Sequence, residues 1–118
     1  VLVVEDEVLT RMIIADTLRE TGFHVVEAGN AEEAMDYVRA GAPVDLVFAD
    51  IDMPGAVNGV GLAHWLQARS PNVPVILTSG GAAKLPAAGA AFIAKPYGLD
   101  KVVALICDAL AASGYGRE

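Results

Sequence analysis

Cysteine is nearly absent from this chain. Cys107 stands alone, so no internal disulfide can staple the fold, and a reducing, cytoplasmic setting is the simple expectation. No apolar run approaches the length of a membrane span, and no signal-peptide pattern opens the chain. Basic residues are scarce: 8 Lys and Arg stand against 15 Asp and Glu, a net charge of −7. Direct binding to nucleic acid, which needs clustered cations against phosphates, is therefore not expected. Internal repeats, linkers and low-complexity stretches are also missing, so residues 1–118 read as one domain. The opening at Val1 suggests a domain cut from a longer protein, and no DNA-binding or catalytic output unit is visible.

What is there is apolar. Hydrophobic residues make up 54% of the 118, enough for a real core and far from the composition of a disordered chain. Five short runs rich in Val, Ile and Phe stand out, at 1–4, 23–26, 44–49, 73–77 and 90–94. Several are continuous rather than alternating, as strands buried on both faces should be. Helical patterns lie between them. Leu9, Ile13, Ile14 and Leu18 recur at helical spacing. Asn30 followed by Glu33 reads as a capping box that opens a helix to about Ala40, which Gly41 can end. Leu62 and Leu66 anchor a third helix, closed by Pro71. Leu99, Val102, Val103, Ile106 and Leu110 give the last helix a wide apolar stripe.

Strands alternating with helices through short links predict an α/β fold with a doubly wound parallel sheet. Five such units of this size fit the flavodoxin-like (βα)5 order 2-1-3-4-5. One link breaks the pattern. Residues 78–89 hold three glycines and a proline, so the fourth helix is expected to be short or irregular, and this link to be the mobile element.

Sites in such sheets form at the carboxyl ends of the strands, where strand order reverses. Glu5 and Asp6 end the first strand, Asp50 the third, Thr78 and Ser79 the fourth, and Lys95 the fifth. Three carboxylates in one cleft repel one another, which is costly without a cation. Hard oxygen ligands with an open face suit Mg²⁺. A lysine and a hydroxyl beside them would hold phosphoryl oxygens. Together these groups are equipment for phosphoryl transfer onto a carboxylate.

The segments VLVVEDE (1–7), FADIDMPG (48–55), VILTSG (75–80) and AKPY (94–97) resemble the receiver domains of bacterial response regulators, in order and nearly in spacing. The resemblance spans essentially the whole chain. It implies a two-component signalling domain that accepts a phosphoryl group from a histidine kinase or a histidine phosphotransfer protein and signals to a partner or output domain. Asp50, three residues before Met53-Pro54, would be the phosphoacceptor. Asp6 would bind Mg²⁺ directly and Glu5 through water, with the main-chain carbonyl of Asp52 as a further ligand. Thr78 matches the switch hydroxyl, Lys95 the phosphoryl-contacting lysine, and Phe92, three residues before Lys95, the switch aromatic. Phosphorylation would draw Thr78 inward and let Phe92 fill the vacated space. A domain of this kind is not an enzyme, although it can catalyse its own phosphorylation and dephosphorylation.

Plainer readings stand beside these. Acids before a helix favour its dipole. Lys95-Pro96 alone would be a surface turn, Thr78 a cap, and Phe92 a core residue. Leu9 and Met12 could pack the core or help receive the kinase, as could Tyr97. Cys107 is expected to be core or half-buried, Trp65 to pack on the third helix, and His24 and His64 to be solvated or structural. The main functional rival is a haloacid dehalogenase-like phosphatase, because Asp50-Ile51-Asp52 resembles its nucleophile and acid pair. That motif normally sits on the first strand, and there is no room here for a substrate cap. A docking module that is never phosphorylated would not need Asp6, Asp50, Thr78 and Lys95 together.

Overall fold

The structure, a computed structural model, describes residues 1–80 and 90–113. Its elements run β1 (Leu2–Val4), α1 (Val8–Thr21), β2 (Val26–Ala28), α2 (Ala31–Arg39), β3 (Val47–Asp50), α3 (Gly59–Arg69), β4 (Val75–Ser79), β5 (Ala90–Ala94) and α4 (Leu99–Ala112). All strand pairs are parallel, and the sheet order is β2-β1-β3-β4-β5, as the alternating pattern predicts. The expected short helix between β4 and β5 falls on residues 81–89, outside the described residues.

The period-2 alternation of each strand divides the core into two layers. Leu2, Val4, Val47, Ala49, Val75 and Leu77 face α2 and α3, where Ala31, Ala34, Leu62 and Leu66 close over them. Val3, Phe48, Ile76 and Ile93 face the other way, against Ile14 and Leu18 of α1 and Val102, Ile106 and Leu110 of α4. β1, β3 and β4 are buried along their whole length, which is why their sequences run apolar without alternation.

Strand boundaries differ from the apolar runs. Pairing with β1 begins only at Val26, so β2 starts later than its run; Phe23 and Val25 are apolar lead-in packed beneath α1 and α4. β3 and β4 likewise start late and extend through Asp50 and through Ser79, because their ladder continues to the Asp50–Thr78 pair. On α1 the buried face is Ile14, Ala15 and Leu18, whereas Leu9 and Ile13 are 66% and 54% exposed. Cys107 is exposed, on the outer side of α4 next to buried Ile106.

Caps set the helix ends at the site. Glu7 caps α1, its carboxylate accepting the Thr10 N–H at 2.7 Å and the Thr10 hydroxyl at 2.6 Å. Asn30 accepts the Glu33 N–H at 2.8 Å, and the Glu33 carboxylate reaches one residue further back than a capping box requires, to the Gly29 N–H at 2.7 Å. Gly22 ends α1 at φ 111°, a conformation that favours glycine.

Candidate phosphoacceptor site

β1 and β3 are neighbours, but the chain leaves β1 toward one edge of the sheet and β3 toward the other. The crevice between their carboxyl ends is the switch point of the sheet. Glu5 and Asp6 enter it from β1, and Asp50 from β3. One carboxylate oxygen from each lies within 4.8 Å of the others. Glu5 and Asp50 are buried, while Asp6 is exposed at the rim.

Main-chain bonds fix these ends together. The Ile51 N–H donates to the Thr78 carbonyl at 2.8 Å, and the Lys95 N–H to the Ser79 carbonyl at 2.9 Å, so β3, β4 and β5 finish at one level. The Lys95 amine donates to Asp50 Oδ2 at 2.7 Å and stands 3.5 Å from Glu5 Oε1. The other Asp50 oxygen, Oδ1, accepts the Asp52 N–H at 2.9 Å. The Asp52 carboxylate in turn accepts the Ser79 hydroxyl at 2.6 Å, linking the β3–α3 loop to the end of β4. The Glu5 carboxylate accepts the Glu7 N–H at 3.1 Å.

Lys95 is the one cation in ion-pair contact with this group among the described residues, against three carboxylates. The imbalance is visible in Glu5. Burial pushes its carboxyl up to about 7, the Glu7 N–H pulls it back, the Asp50 charge adds to the rise and Lys95 opposes it. Burial also works against the Lys95 ammonium, but the hydrogen bond and charge of Asp50, then the charge of Glu5, outweigh it and hold the amine above its ordinary value. An under-neutralised cluster of hard oxygens, open at Asp6, fits a small divalent cation such as Mg²⁺.

Thr78 is fully buried beside Asp50 in the ladder, and its hydroxyl has no hydrogen-bond partner among the described residues. Such an orphan needs a reason, and an incoming anionic oxygen would satisfy it. Phe92 pairs in register with Leu77, one residue before Thr78, and is half-buried against the α2–α3 layer. The alternation thus places Phe92 and Thr78 on opposite faces of the sheet.

Beside the cleft, a hollow of about 510 Å³ lies between α1 and the β5–α4 turn, with Ile13, Lys95, Pro96, Tyr97 and Leu99 among its lining. Tyr97 meets Phe48 edge-on at 6.1 Å. Val8, Leu9, Met12 and Ile13 form an exposed apolar ridge along α1. His24 and His64 are exposed. Trp65 is half-buried under Arg39 and Arg69, each guanidinium 5.2 Å from its ring.

Three contacts at the site were not singled out from the sequence: the Asp52–Ser79 hydrogen bond, the approach of Gly59 to the Asp50 main chain, and the hold of Arg11 on the Glu5 carbonyl. The partners are 27, 9 and 6 residues apart. Gly59 alone carries a local signal, as the last residue of a 55–59 run whose chemistry reads as a loop, whereas the structure begins α3 there.

The family model for the response regulator receiver domain matches residues 1–107. The chain belongs to the receiver domains of two-component response regulators. Among similar proteins, a putative NtrX-like response regulator of Rickettsia conorii is 33% identical over 125 aligned positions, covering 100% of this chain and 26% of that protein. The chain thus spans about a quarter of the length of the curated relatives it matches first. A response regulator receiver protein from Sinorhizobium medicae has the same fold, with TM-score 0.87, 24% identity, and coverage of 95% of this chain and 94% of that one. The response regulator TrrA of Thermotoga maritima, solved in complex with Mg²⁺ and BeF, gives TM-score 0.83 and 27% identity over 92% of this chain and 96% of its own. The receiver family is a signalling domain rather than a classical enzyme. Among the described residues no helix is long and apolar enough to cross a membrane.

Proposed function

We propose that this receiver domain accepts a phosphoryl group on Asp50 from the phosphohistidine of a histidine kinase or histidine phosphotransfer protein, and that residues 1–118 act as one signalling unit. The observation that carries the reading is the placement of Asp50. Its carboxylate is held between the Lys95 amine at 2.7 Å and the Asp52 N–H at 2.9 Å, next to Glu5 and Asp6.

Asp50 is the nucleophile. Its oxygen attacks phosphorus, the bond from phosphorus to the donor imidazole nitrogen breaks, and the imidazole leaves with that electron pair. Lys95, released from Asp50, neutralises charge on the transferring oxygens, and Thr78 donates its hydroxyl, unpartnered among the described residues, to another. Asp6, Asp50, the main-chain carbonyl of Asp52 and Glu5 would hold Mg²⁺. When bound, the ion offsets the charge of the carboxylates and of the incoming phosphoryl group. The exposed ridge of Leu9, Met12 and Ile13 is the surface that receives the donor.

The switch follows from the same contacts. Drawing Thr78 toward the phosphoryl group shifts the end of β4, and Phe92, paired with Leu77 on the opposite face rather than next to the Thr78 side chain, changes how deeply it sits. A partner or output domain would read the altered surface around β5 and α4.

Incubation with a small phosphodonor and Mg²⁺, followed by intact mass measurement, tests the reading. One added phosphoryl group is expected on the wild type and none on Asp50→Asn. Equal labelling of the variant would refute the assignment.

A further inference from the structure

Arg11 lies outside the reacting groups, yet it is tied to the acidic turn. Its Nη1 donates to the main-chain carbonyl of Glu5 at 2.9 Å, and its Nε to the Glu27 carboxylate at 3.2 Å. The Glu5 N–H, meanwhile, donates to the Ala28 carbonyl at 3.0 Å. Both main-chain groups of Glu5 are therefore held against the end of β2, one directly and one through the guanidinium. The carbonyl that Arg11 grips belongs to the Glu5–Asp6 peptide, whose two side chains are two of the three clustered carboxylates. Glu5 has further anchors in the Glu7 N–H and Lys95, but Asp6 is exposed and its aim depends on that peptide.

We propose that Arg11 is a positioning residue for the divalent-cation site, fixing the Glu5–Asp6 peptide by forking between Glu27 and the Glu5 carbonyl. The proposal rests on the Mg²⁺ reading above and extends it to a residue that would touch neither the ion nor the phosphoryl group. A planar guanidinium presents several N–H donors in one rigid fork, whereas a lysine ammonium is a point charge on a flexible stem and cannot reproduce the fork. Outer-shell partners of this kind typically govern metal affinity about 10- to 100-fold.

Charge and geometry make opposite predictions here. As a cation near the site, Arg11 repels Mg²⁺, so its charge alone would weaken binding and its removal would tighten it. Glu27, at 3.2 Å from Arg11 and 3.1 Å from Arg19, offsets only part of that charge. As a positioning group Arg11 strengthens binding. Arg11→Lys keeps the charge and loses the fork, which separates the two effects.

The test is calorimetric titration of the protein with Mg²⁺ for the wild type, Arg11→Lys, Glu27→Ala and the double variant, with Asp6→Asn as the site control. Thermal melts in chelator report the fold independently. The Mg²⁺ dissociation constant should rise about tenfold in Arg11→Lys. Glu27 is shared with Arg19 at 3.1 Å, so the double variant should lose less than the sum of the two single losses rather than nothing beyond Arg11→Lys. An unchanged or tighter constant in Arg11→Lys would overturn the proposal while leaving the cation site standing. Wild-type binding no tighter than that of Asp6→Asn would overturn both. Should Arg11→Lys fail to fold, Arg11→Gln decides: weaker binding supports the fork, because loss of the charge alone would tighten it, and wild-type or tighter affinity refutes it.

Discussion

At the residue scale, the site is held by short contacts to groups that take no part in chemistry. Gly59 is one of them. A Cβ built there would collide with the Asp50 carbonyl oxygen and stand 2.7 Å from the Ile51 Cα, both of them main chain. The Gly59 N–H also donates to the Ile51 carbonyl at 3.1 Å, so the first turn of α3 rests on the end of β3. Gly59→Ala must therefore displace the strand that carries Asp50. Overpacking of this kind typically costs about 1–3 kcal/mol. We expect a loss of that size in chemical denaturation, together with slower labelling by a small phosphodonor; wild-type stability and rate would contradict the close approach. The convergence of Glu5, Asp6, Asp50 and Lys95 was legible because each ends a strand and strand ends converge in this topology. The Gly59 contact was not, because a glycine pattern does not say which backbone comes near it.

At the element scale, local chemistry and tertiary context were legible to different degrees. The Asn30 cap follows from side-chain reach within four residues, and so it could be read directly. Its hydrogen bond to the Glu33 N–H stabilises the start of α2, whose Ala31 and Ala34 are fully buried. Asn30→Ala should cost about 1 kcal/mol, visible as a lowered denaturation midpoint with an unchanged slope; an unaltered midpoint would remove the cap from the account. Helix α1 was harder. Leu9 and Ile13 have helical spacing with Ile14 and Leu18, and periodicity cannot tell a core face from an exposed apolar face. Position in the fold decides it: Ile14 and Leu18 meet α4 and the sheet, while Leu9 and Ile13 look outward beside the cleft. The bounds of β2 were obscured for a related reason, since Phe23 and Val25 are half-buried against the core without belonging to the ladder.

At the scale of the whole molecule, an acidic domain presents an apolar ridge next to its cluster of Glu5, Asp6 and Asp50. A contiguous exposed patch of Val8, Leu9, Met12 and Ile13 calls for a partner, and a histidine-bearing donor would reach Asp50 across it. Ile13→Glu should slow transfer from a phosphorylated histidine donor at least several-fold, as loss of an apolar contact in a small interface would. Labelling by a small phosphodonor, which needs no docking, should be unaffected. Equal rates from the protein donor would mean that the ridge serves another contact. The parallel order was legible because strand, helix and short link repeat, whereas the 16-residue separation of Arg11 and Glu27 becomes a contact only once β2 lies beside β1. Everything proposed for signalling depends on Asp50 becoming an acyl phosphate, and its site can be mapped directly. Protein labelled by a small phosphodonor, with Mg²⁺ or with chelator, would be treated with hydroxylamine, digested and sequenced by tandem mass spectrometry. The account predicts a hydroxamate at Asp50 in the Mg²⁺ sample and almost none with chelator; a modification at another residue, or labelling of Asp50 indifferent to Mg²⁺, would contradict it.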